Sequence, residues 1–311
     1  MTHAPLDDSA LTWKRHADLV AGQHWPEASL YVVATPIGNL GDLSLRAWEA
    51  LRRCAAIAAE DTRTTRLLLD AWGISTPLLA AHRHNEQQAA DLIVQRLAAG
   101  ERIALVSDAG APAVSDPGAR IVRQVRAAGY RVVPLPGPSA VVAALMASGA
   151  TRDDEPGFVF AGFLPAKTQA RRKWLSRWLD WPIPVVLFET PHRLRAALAD
   201  LLDLAGPGRT LTLARELSKR FEEIHTLPLG EVAGWLAQDA HRTQGEFVLI
   251  LHAAPAAEAA DTLSADQVRV MRALLAELSV RDAARIGAAA TGVPRDRLYQ
   301  WALDAAPPAN G

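Results

Sequence analysis

Cysteine is the scarcest reactive residue in this 311-residue sequence, which contains one, Cys54. A single thiol cannot form a disulfide within the chain, so a disulfide-stapled scaffold is excluded and we expect a reducing, cytoplasmic location. Cys54 lies in an apolar stretch, where a small buried hydrophobe is expected rather than a nucleophile. The sequence also lacks the C-x-x-C and H-x-x-H spacings typical of metal ligands, so we expect no metal.

Long hydrophobic runs are absent as well. The most apolar stretch, residues 140–147, is far shorter than the roughly 20 residues that span a bilayer. The first residues do not combine a basic start with an unbroken apolar segment, as a secretory signal would. We therefore expect no membrane contact, and we interpret residues 1–28 as a loose N-terminal tail.

The sequence also lacks an excess of positive charge, because it contains 33 Lys and Arg residues and 34 Asp and Glu residues. With a net charge of −1, the chain is not expected to coat nucleic acid through bulk charge, so any RNA contact has to be local. A cationic run without acidic residues is either a phosphate-binding surface or an ordinary solvated helix face. One such run is present: Lys167, Arg171, Arg172, Lys173 and Arg177.

Apolar residues make up half of the chain, enough for one large core or two linked ones. Short runs rich in Val, Ile and Leu alternate with segments of helical periodicity, which is typical of a mainly parallel sheet covered by helices. A polar segment ending in Pro-Gly predicts a boundary at 151–157, and an Ala-rich segment predicts a later linker. The predicted organisation after the tail is an α/β domain over 29–150, a second α/β domain over 151–252, a linker over 253–261, a helical module over 262–304 and a tail over 305–311.

Helix-capping signals refine this organisation. Asp116 followed by Pro117 predicts a helix start, with Asp116 as N-cap. In the C-terminal module, Ser279 is expected to begin a helix and Gly292 to end it. Three short helices with a tight glycine turn resemble a helix-turn-helix unit, which is either a nucleic-acid contact or a small bundle that packs on the rest of the protein.

Three turns that contain glycine or proline each follow an apolar strand, at residues 35–42, 107–110 and 136–139. In an open α/β sheet the carboxyl ends of the strands line the ligand crevice, so these turns are expected to meet at one binding cleft. Glycines in them would let the backbone approach a ligand closely. The first turn has neither the G-x-G-x-x-G spacing nor a Lys-Ser/Thr ending, so a dinucleotide or a nucleoside triphosphate is not favoured.

At these turns the sequence resembles the tetrapyrrole-methylase-fold methyltransferases, and within them the branch that methylates small-subunit ribosomal RNA. The first part of the resemblance consists of LYVVATPIGNLGD at 30–42, AAEDTR at 58–63, HNEQ at 84–87, ALVSDAG at 104–110, DPG at 116–118 and PLPGP at 134–138. It continues with GFLP at 162–165, AREL at 214–217 and GEFVLI at 245–250. The sequence departs from the family at Ala111, where Thr is usual, and at Ala34, where Pro or another small residue is common.

The resemblance implies two α/β domains with S-adenosylmethionine in the cleft between them, usually in a homodimer. The reaction that it implies is 2′-O-methylation of the ribose of a cytidine near the decoding site of 16S RNA, with this RNA or the 30S subunit as partner. The residues that it places around the cofactor are Pro36, Gly38, Leu40, Asp108, Ala109, Pro136, Gly137, Ser139, Phe188, Glu189 and Ala214.

Such a reaction needs a base that removes the hydroxyl proton, supplied by a carboxylate, His or Lys close to the methyl group. Asp61, at the end of a predicted strand, is the first candidate, followed by Glu60, Glu86 and His84. Each also fits a purely structural role, because such clusters serve as helix caps and surface pairs. Asp108 either accepts a hydrogen bond from the cofactor or forms an Asx turn. The cations favoured as RNA contacts are Arg63, Arg66, Lys167, Arg171, Arg172 and Lys173.

Two other functions compete with this interpretation. The same fold carries methyltransferases that act on a tetrapyrrole or another small acceptor, and fold alone does not determine function. The cationic run and the His84-Asn85-Glu86 motif weigh against a small acceptor. A non-catalytic ribosome-assembly or RNA-binding protein is the second alternative, and the intact cofactor turns weigh against it.

Overall fold

Two β-sheets, one before and one after residues 151–157, organise the longer part of the chain. The computed structural model describes residues 8–254, 263 and 265–305, and it separates residues 1–254 from residues 255–311 as two units. We call residues 29–150 the first lobe and residues 151–254 the second lobe. Most of the predicted linker and all but one residue of the predicted C-terminal tail lie outside the described residues.

The first sheet is parallel throughout, as the alternating pattern predicted. Its strands are β1 (Ser29–Val33), β2 (Ala56–Ala59), β3 (Leu78–Ala80), β4 (Arg102–Val106) and β5 (Arg131–Leu135). The helices of this part are α1 (Asp8–Ala21), α2 (Leu45–Arg53), α3 (Thr62–Ala71), α4 (Glu86–Ala98), α5 (Ala119–Ala127) and α6 (Ala140–Ser148). The strand order is β3-β2-β4-β1-β5.

Both faces of this sheet are buried, which explains the nearly continuous apolar strands. Alternate residues point to opposite faces: Ile57 packs with Leu51 of α2, whereas Ala58 packs with Ile93 of α4. Polar groups and ligand contacts are therefore left to the strand ends.

Residues 8–28 differ from the predicted loose tail. They include helix α1 and the buried Trp25, whose ring centroid lies 5.9 Å from that of Tyr31. The Trp25 indole donates a hydrogen bond to the carbonyl of Val20, and Arg102 donates to the carbonyl of Trp25. One aromatic side chain thus anchors part of the segment that we interpret from the sequence as a loose tail.

The second sheet is mixed, with the order β6-β7-β10-β8-β9. Its strands are β6 (Val159–Phe163), β7 (Val185–Glu189), β8 (Thr210–Arg215), β9 (Glu223–Pro228) and β10 (Phe247–Leu251), and its helices are α7 (Thr168–Leu175), α8 (Pro191–Ala205) and α9 (Leu229–Ala237). The pair β6 and β7 is parallel, and the other pairs are antiparallel. Helix α6 of the first lobe packs against this sheet, where Val141 and Ala144 share a core with Val186 and Ile250.

The predicted start of helix α5 is wrong by two residues. The helix begins at Ala119, and the cap comes from another helix: the Glu86 carboxylate accepts hydrogen bonds from the backbone N–H groups of Gly118 and Arg120, at 3.0 and 3.1 Å. A carboxylate near a helix N-terminus is favourable there. Asp116 is therefore not the N-cap of α5 that the sequence predicts.

The C-terminal unit contains α10 (Ala265–Leu275), α11 (Val280–Thr291) and α12 (Arg295–Ala305). Both predicted caps are confirmed, because the Ser279 hydroxyl accepts a hydrogen bond from the Asp282 N–H and Gly292 is left-handed at φ 71°. A Cβ on Gly287 would lie 2.5 Å from the sulfur of Met271, so glycine lets α11 pack closely on α10. Within the described parts of the chain, we find no helix with the length and apolar character to cross a membrane.

Candidate active site

A cavity of about 420 Å³ lies between the two lobes, at the carboxyl ends of the first sheet's strands. This size is typical of sites for small molecules and cofactors. Its wall from the first lobe includes Ile37, Glu60, Asp108, Ala109, Gly110 and Ser139. Its wall from the second lobe includes Phe163, Phe188, Glu189, Ala214, Leu217 and Val248.

The three predicted turns meet at this cavity, and backbone hydrogen bonds hold two of them together. Thr35 and Gly110 each donate to the other's carbonyl oxygen at 2.9 Å, an isolated bridge between the first and second turns. The Thr35 hydroxyl also donates to the Ser107 carbonyl at 3.1 Å. Ser139 of the third turn caps α6 by accepting a hydrogen bond from the Val142 N–H.

The expected cofactor residues separate into two groups. Six of them form part of the cavity wall: Asp108, Ala109, Ser139, Phe188, Glu189 and Ala214. Five are not among the lining residues: Pro36, Gly38, Leu40, Pro136 and Gly137. Gly137 instead packs on β1, since an added Cβ would lie 3.0 Å from the Cβ of Ala34.

Gly38 leaves room for a side chain of the second lobe to pack against the first turn. Its φ is 155°, and an added Cβ would lie 2.3 Å from the Cγ of Lys219 in the loop after β8. The Lys219 ammonium pairs with Glu216 at 2.9 Å and with Glu246 at 3.0 Å. Glu216 and Ser218 adopt φ of 50° and 66°, conformations that are strained for residues other than glycine. The Ser218 hydroxyl donates to Asp42, so the same loop holds the first turn at two points.

Three carboxylates, those of Glu60, Asp108 and Asp116, line the first-lobe side of the cavity. Burial raises the pKa of Glu60, and the negative charges of Asp108 and Asp116 raise it further. Burial likewise raises the pKa of Asp116, again with a contribution from Asp108. The cavity thus contains proton acceptors that are more basic than ordinary carboxylates.

The first candidate for the base, Asp61, is not among the lining residues and caps helix α3 instead. Its Oδ1 accepts a hydrogen bond from the Arg63 N–H at 2.8 Å, and its Oδ2 pairs with the Arg63 guanidinium at 2.9 Å. The hydrogen bonds from the Arg63 side chain and backbone lower the pKa of Asp61 to about 2. The backbone N–H of Asp61 donates to Asp108 at 3.0 Å, so its position still supports a cavity residue.

The two remaining candidates for the base also lie outside the cavity wall. Glu86 caps α5, as described above. The ring of His84 contacts that of His82, with 5.9 Å between centroids. Asp61 and Glu86 thus act as helix caps, the structural role that the sequence left open for them. Of the four candidates for the base, only Glu60 lines the cavity.

Glu189 carries an unsatisfied oxygen at the cavity. Its side chain is fully buried; Oε1 accepts a hydrogen bond from the Thr190 N–H at 2.7 Å and pairs with Arg193 at 2.8 Å. Its Oε2 has no hydrogen-bond partner among the described residues. Leaving a buried acceptor unpaired costs about 1–3 kcal/mol, more for a charged group. The cavity therefore fits a ligand that brings a cationic group or a hydrogen-bond donor to this oxygen.

Several wall residues were not predicted from the sequence, among them Ile37, Asp116, Phe163, Leu217 and Glu246. Each lies inside a motif that carries the family resemblance, so the motifs pointed to the right segments without resolving the residues within them. Which side chain in a motif faces the cavity depends on packing between the lobes, which sequence spacing does not reveal.

The expected RNA contact at Arg171 is wrong. Only 2% of this residue is exposed, and its guanidinium pairs with Asp200 of α8 at 2.6 Å. Helix α7 packs on α8, so part of the cationic run faces inward. Arg172 also pairs with Asp200 and with Asp203, at 3.3 and 2.7 Å, while Lys167 and Lys173 are exposed.

The two expected cations of helix α3, Arg63 and Arg66, each have an acidic neighbour. Arg63 is exposed although it pairs with Asp61, and Arg66 lies 4.0 Å from Asp70. Exposed pairs of this kind are weak, so both side chains remain available to a phosphate.

Comparisons with known proteins define the family. Residues 29–233 match the tetrapyrrole (corrin/porphyrin) methylases, and residues 261–306 match the RsmI C-terminal HTH domain. Ribosomal RNA small subunit methyltransferase I of Pseudomonas aeruginosa is 48% identical over 275 residues, which cover 88% of this chain and 96% of that protein. The protein of the same name from Escherichia coli O157:H7 is 46% identical over 278 residues, covering 89% and 96%.

Solved structures show the same fold at lower identity. Uroporphyrin-III-C-methyltransferase from Thermus thermophilus has a TM-score of 0.52 at 18% identity, covering 72% of this chain and 94% of its own. The cobalt precorrin-4 methyltransferase CbiF has a TM-score of 0.52 at 14% identity, covering 72% and 95%. These structures confirm the expected fold, and the far higher identity to the ribosomal RNA enzymes identifies the branch. The protein is thus a member of the tetrapyrrole methylase family and belongs to its ribosomal RNA small subunit methyltransferase I branch.

Proposed function

We propose that this protein transfers a methyl group from S-adenosylmethionine to the ribose 2′-hydroxyl of a cytidine near the decoding site of 16S RNA. The observation that carries the proposal is the cavity between the lobes. Its wall is largely apolar and includes Glu60, a carboxylate of raised pKa. The relatives that share nearly half of the sequence are named for ribosomal RNA methylation, which supports an RNA acceptor.

The cavity wall fits this methyl donor. Apolar residues such as Ile37, Leu217 and Val248 can enclose its uncharged parts, and Glu189 Oε2 can accept from a donor or neutralise a positive charge. When bound, the cofactor supplies a methyl group on a positively charged sulfur. The residues proposed to hold it are Asp108, Ala109, Ser139, Phe188, Glu189 and Ala214.

The protein's own task is to position the acceptor hydroxyl and to take up its proton. Positioning can lower the barrier by about 7–11 kcal/mol, more than a general base contributes. Glu60 is proposed as the base, because a pKa closer to working pH makes a carboxylate a better proton acceptor. Asp61 is a weaker base, since its pKa is lowered to about 2 and Arg63 occupies its oxygens.

RNA is proposed to lie along the exposed cations Arg63, Lys167 and Lys173 and the half-buried Arg66, which can pair with phosphates. A partner in the 30S subunit implies a cytoplasmic location. We further propose a homodimer, because α6 exposes apolar side chains on the face away from the second sheet: Val142 is 51% and Met146 83% exposed.

Methylation of ribosomal RNA is tested by deleting the gene and measuring modified nucleosides of 16S RNA by mass spectrometry. We expect one ribose methyl group to disappear, to return with the wild-type gene and to stay absent with Glu60→Gln. Purified protein should transfer labelled methyl to 30S subunits from the deletion strain. Transfer to a porphyrinogen instead would support the small-acceptor alternative, and cofactor binding without any transfer would support the non-catalytic one.

A further inference from the structure

Strand β6 contains a β-bulge that changes the face on which its last residue lies. Phe160 pairs with Val186 of β7, but the next pairs are Gly162 with Leu187 and Phe163 with Phe188, so Ala161 is the extra residue. Side chains alternate between faces along a regular strand. Phe160 and Phe163, three residues apart, would then lie on opposite faces, but the bulge brings both onto the face that contains Phe188. Bulges beside active sites commonly redirect a side chain in this way.

The redirected ring lies in the cavity wall, yet it is half-exposed. Phe163 lines the cavity with 51% of its surface exposed, and its ring centroid is 5.3 Å from that of Phe188 in an edge-to-face contact. Such a contact covers at most one face of the Phe163 ring. A side chain that lines a cavity and also faces solvent marks its mouth, so an open aromatic face lies where the cavity meets the surface.

The first lobe contributes a second exposed apolar side chain to the cavity wall, from the loop before α5. Val114 also lines the cavity and is 47% exposed. It lies between Ala113 and Ser115, whose φ values of 67° and 65° are strained for these residues. The Ser115 hydroxyl lies 3.3 Å from the position of a Cβ on Gly162, so this loop and the bulge adjoin. Two apolar side chains from different lobes therefore flank the opening.

The size of the cavity determines what reaches this opening. About 420 Å³ holds one ligand of cofactor size, so a nucleotide of a polymer has to present its ribose from outside. Its base then lies at the mouth. Proteins recognise unpaired RNA bases largely by stacking them on aromatic rings.

We propose that the Phe163 ring stacks on the base of the acceptor nucleotide and so positions the ribose hydroxyl at the cavity. This inference rests on the proposed function, because it requires an RNA acceptor. Stacking persists from the bound state to the transition state, so its loss should raise the KM for RNA more than it lowers kcat.

The test compares variants of Phe163 in steady-state methyl transfer to 30S subunits from the deletion strain. Phe163→Ala and Phe163→Leu should lower kcat/KM by roughly 5- to 150-fold, mainly through KM, because base stacking is worth about 1–3 kcal/mol. Leu preserves apolar bulk but has no ring face, so it separates stacking from packing. Phe163→Trp should retain activity, and Phe158→Ala, an exposed phenylalanine outside the cavity wall, should match the wild type.

Calorimetric titration with S-adenosylmethionine alone supplies the second measurement, and we expect unchanged affinity in every Phe163 variant. An unchanged KM for 30S subunits in Phe163→Leu would overturn the proposal. Weakened cofactor binding with unchanged KM for RNA would also overturn it and assign the ring to the cofactor. Absence of transfer by the wild type would instead reject the proposed function, so the two failures are distinguishable.

Discussion

At the scale of single residues, two adjacent carboxylates show how local contacts separate chemical roles. Glu60 lines the cavity, where burial and neighbouring Asp charges raise its pKa. Asp61 turns to the start of α3, where hydrogen bonds from Arg63 lower its pKa to about 2. One position along the chain thus separates the proposed base from a helix cap.

Replacing Glu60 with Gln should lower kcat by about 10²- to 10⁴-fold, the usual contribution of a general base. The same change should stabilise the folded chain at neutral pH. Because its pKa is raised in the folded state, Glu60 contributes most to stability when it is protonated, below the ordinary pKa of a glutamate. This contribution is lost as pH rises through the raised pKa. Urea unfolding at neutral and acidic pH measures the difference, which should shrink under acid. Normal turnover by Glu60→Gln would exclude Glu60 as the base.

At the scale of elements, helix α7 shows that a cationic run is not a uniform surface. Arg171 faces α8 and pairs with Asp200 in the interior, whereas Lys173, two residues later, is exposed. Breaking a buried pair leaves an uncompensated charge, which costs about 3–5 kcal/mol. Neutral replacements of the two residues should therefore have different effects.

Replacing Lys167, Lys173 and Arg177 together with Gln should weaken RNA binding and flatten its salt dependence, by about 0.7 to 0.9 in the log–log slope for each phosphate that the variant no longer neutralises. Arg171→Met should instead lower the free energy of unfolding and leave the salt slope of the remaining folded protein unchanged. Filter binding at several salt concentrations, together with urea unfolding, measures both effects. The same slope for the triple variant and the wild type would remove these three residues from the proposed RNA-binding surface.

At the scale of the whole molecule, helix α6 connects the lobes and presents a candidate interface. Val141 and Ala144 are buried in the core shared with the second sheet, while Val142 and Met146 are exposed. A helix that is apolar on all sides is normally buried. A second copy of the chain would cover the exposed face, in agreement with the proposed homodimer.

Met146→Glu combined with Val142→Glu should convert the protein from dimer to monomer, because buried charges without partners disfavour association. Light scattering after size-exclusion chromatography measures the molar mass. Leu67→Glu, which places a charge on an exposed leucine of α3, is the matched control and should remain dimeric. A monomeric wild type, or a dimeric double variant, would contradict the assignment of this face.

Features set by neighbours along the chain were predictable from the sequence. The apolar runs indicated the parallel first sheet, and the turns after β1, β4 and β5 indicated the cleft, because carboxyl ends of parallel strands share one edge. Ser279 and Gly292 indicated their helix ends correctly, since capping involves residues within one turn. The family motifs identified the segments that form the cavity.

Contacts between distant segments decided the rest. The packing of α7 on α8 buried Arg171, the loop after β8 placed Lys219 over Gly38, and Glu86 took the cap expected from Asp116. The bulge in β6 turned Phe163 toward the cavity, and the folded lobes separated Glu60 from Asp61. The sequence by itself determined the α/β class and the edge of the first sheet where the site lies, because those depend on local periodicity and strand ends. Only the tertiary structure decided which side chains face the cavity, because that depends on which surfaces pack together.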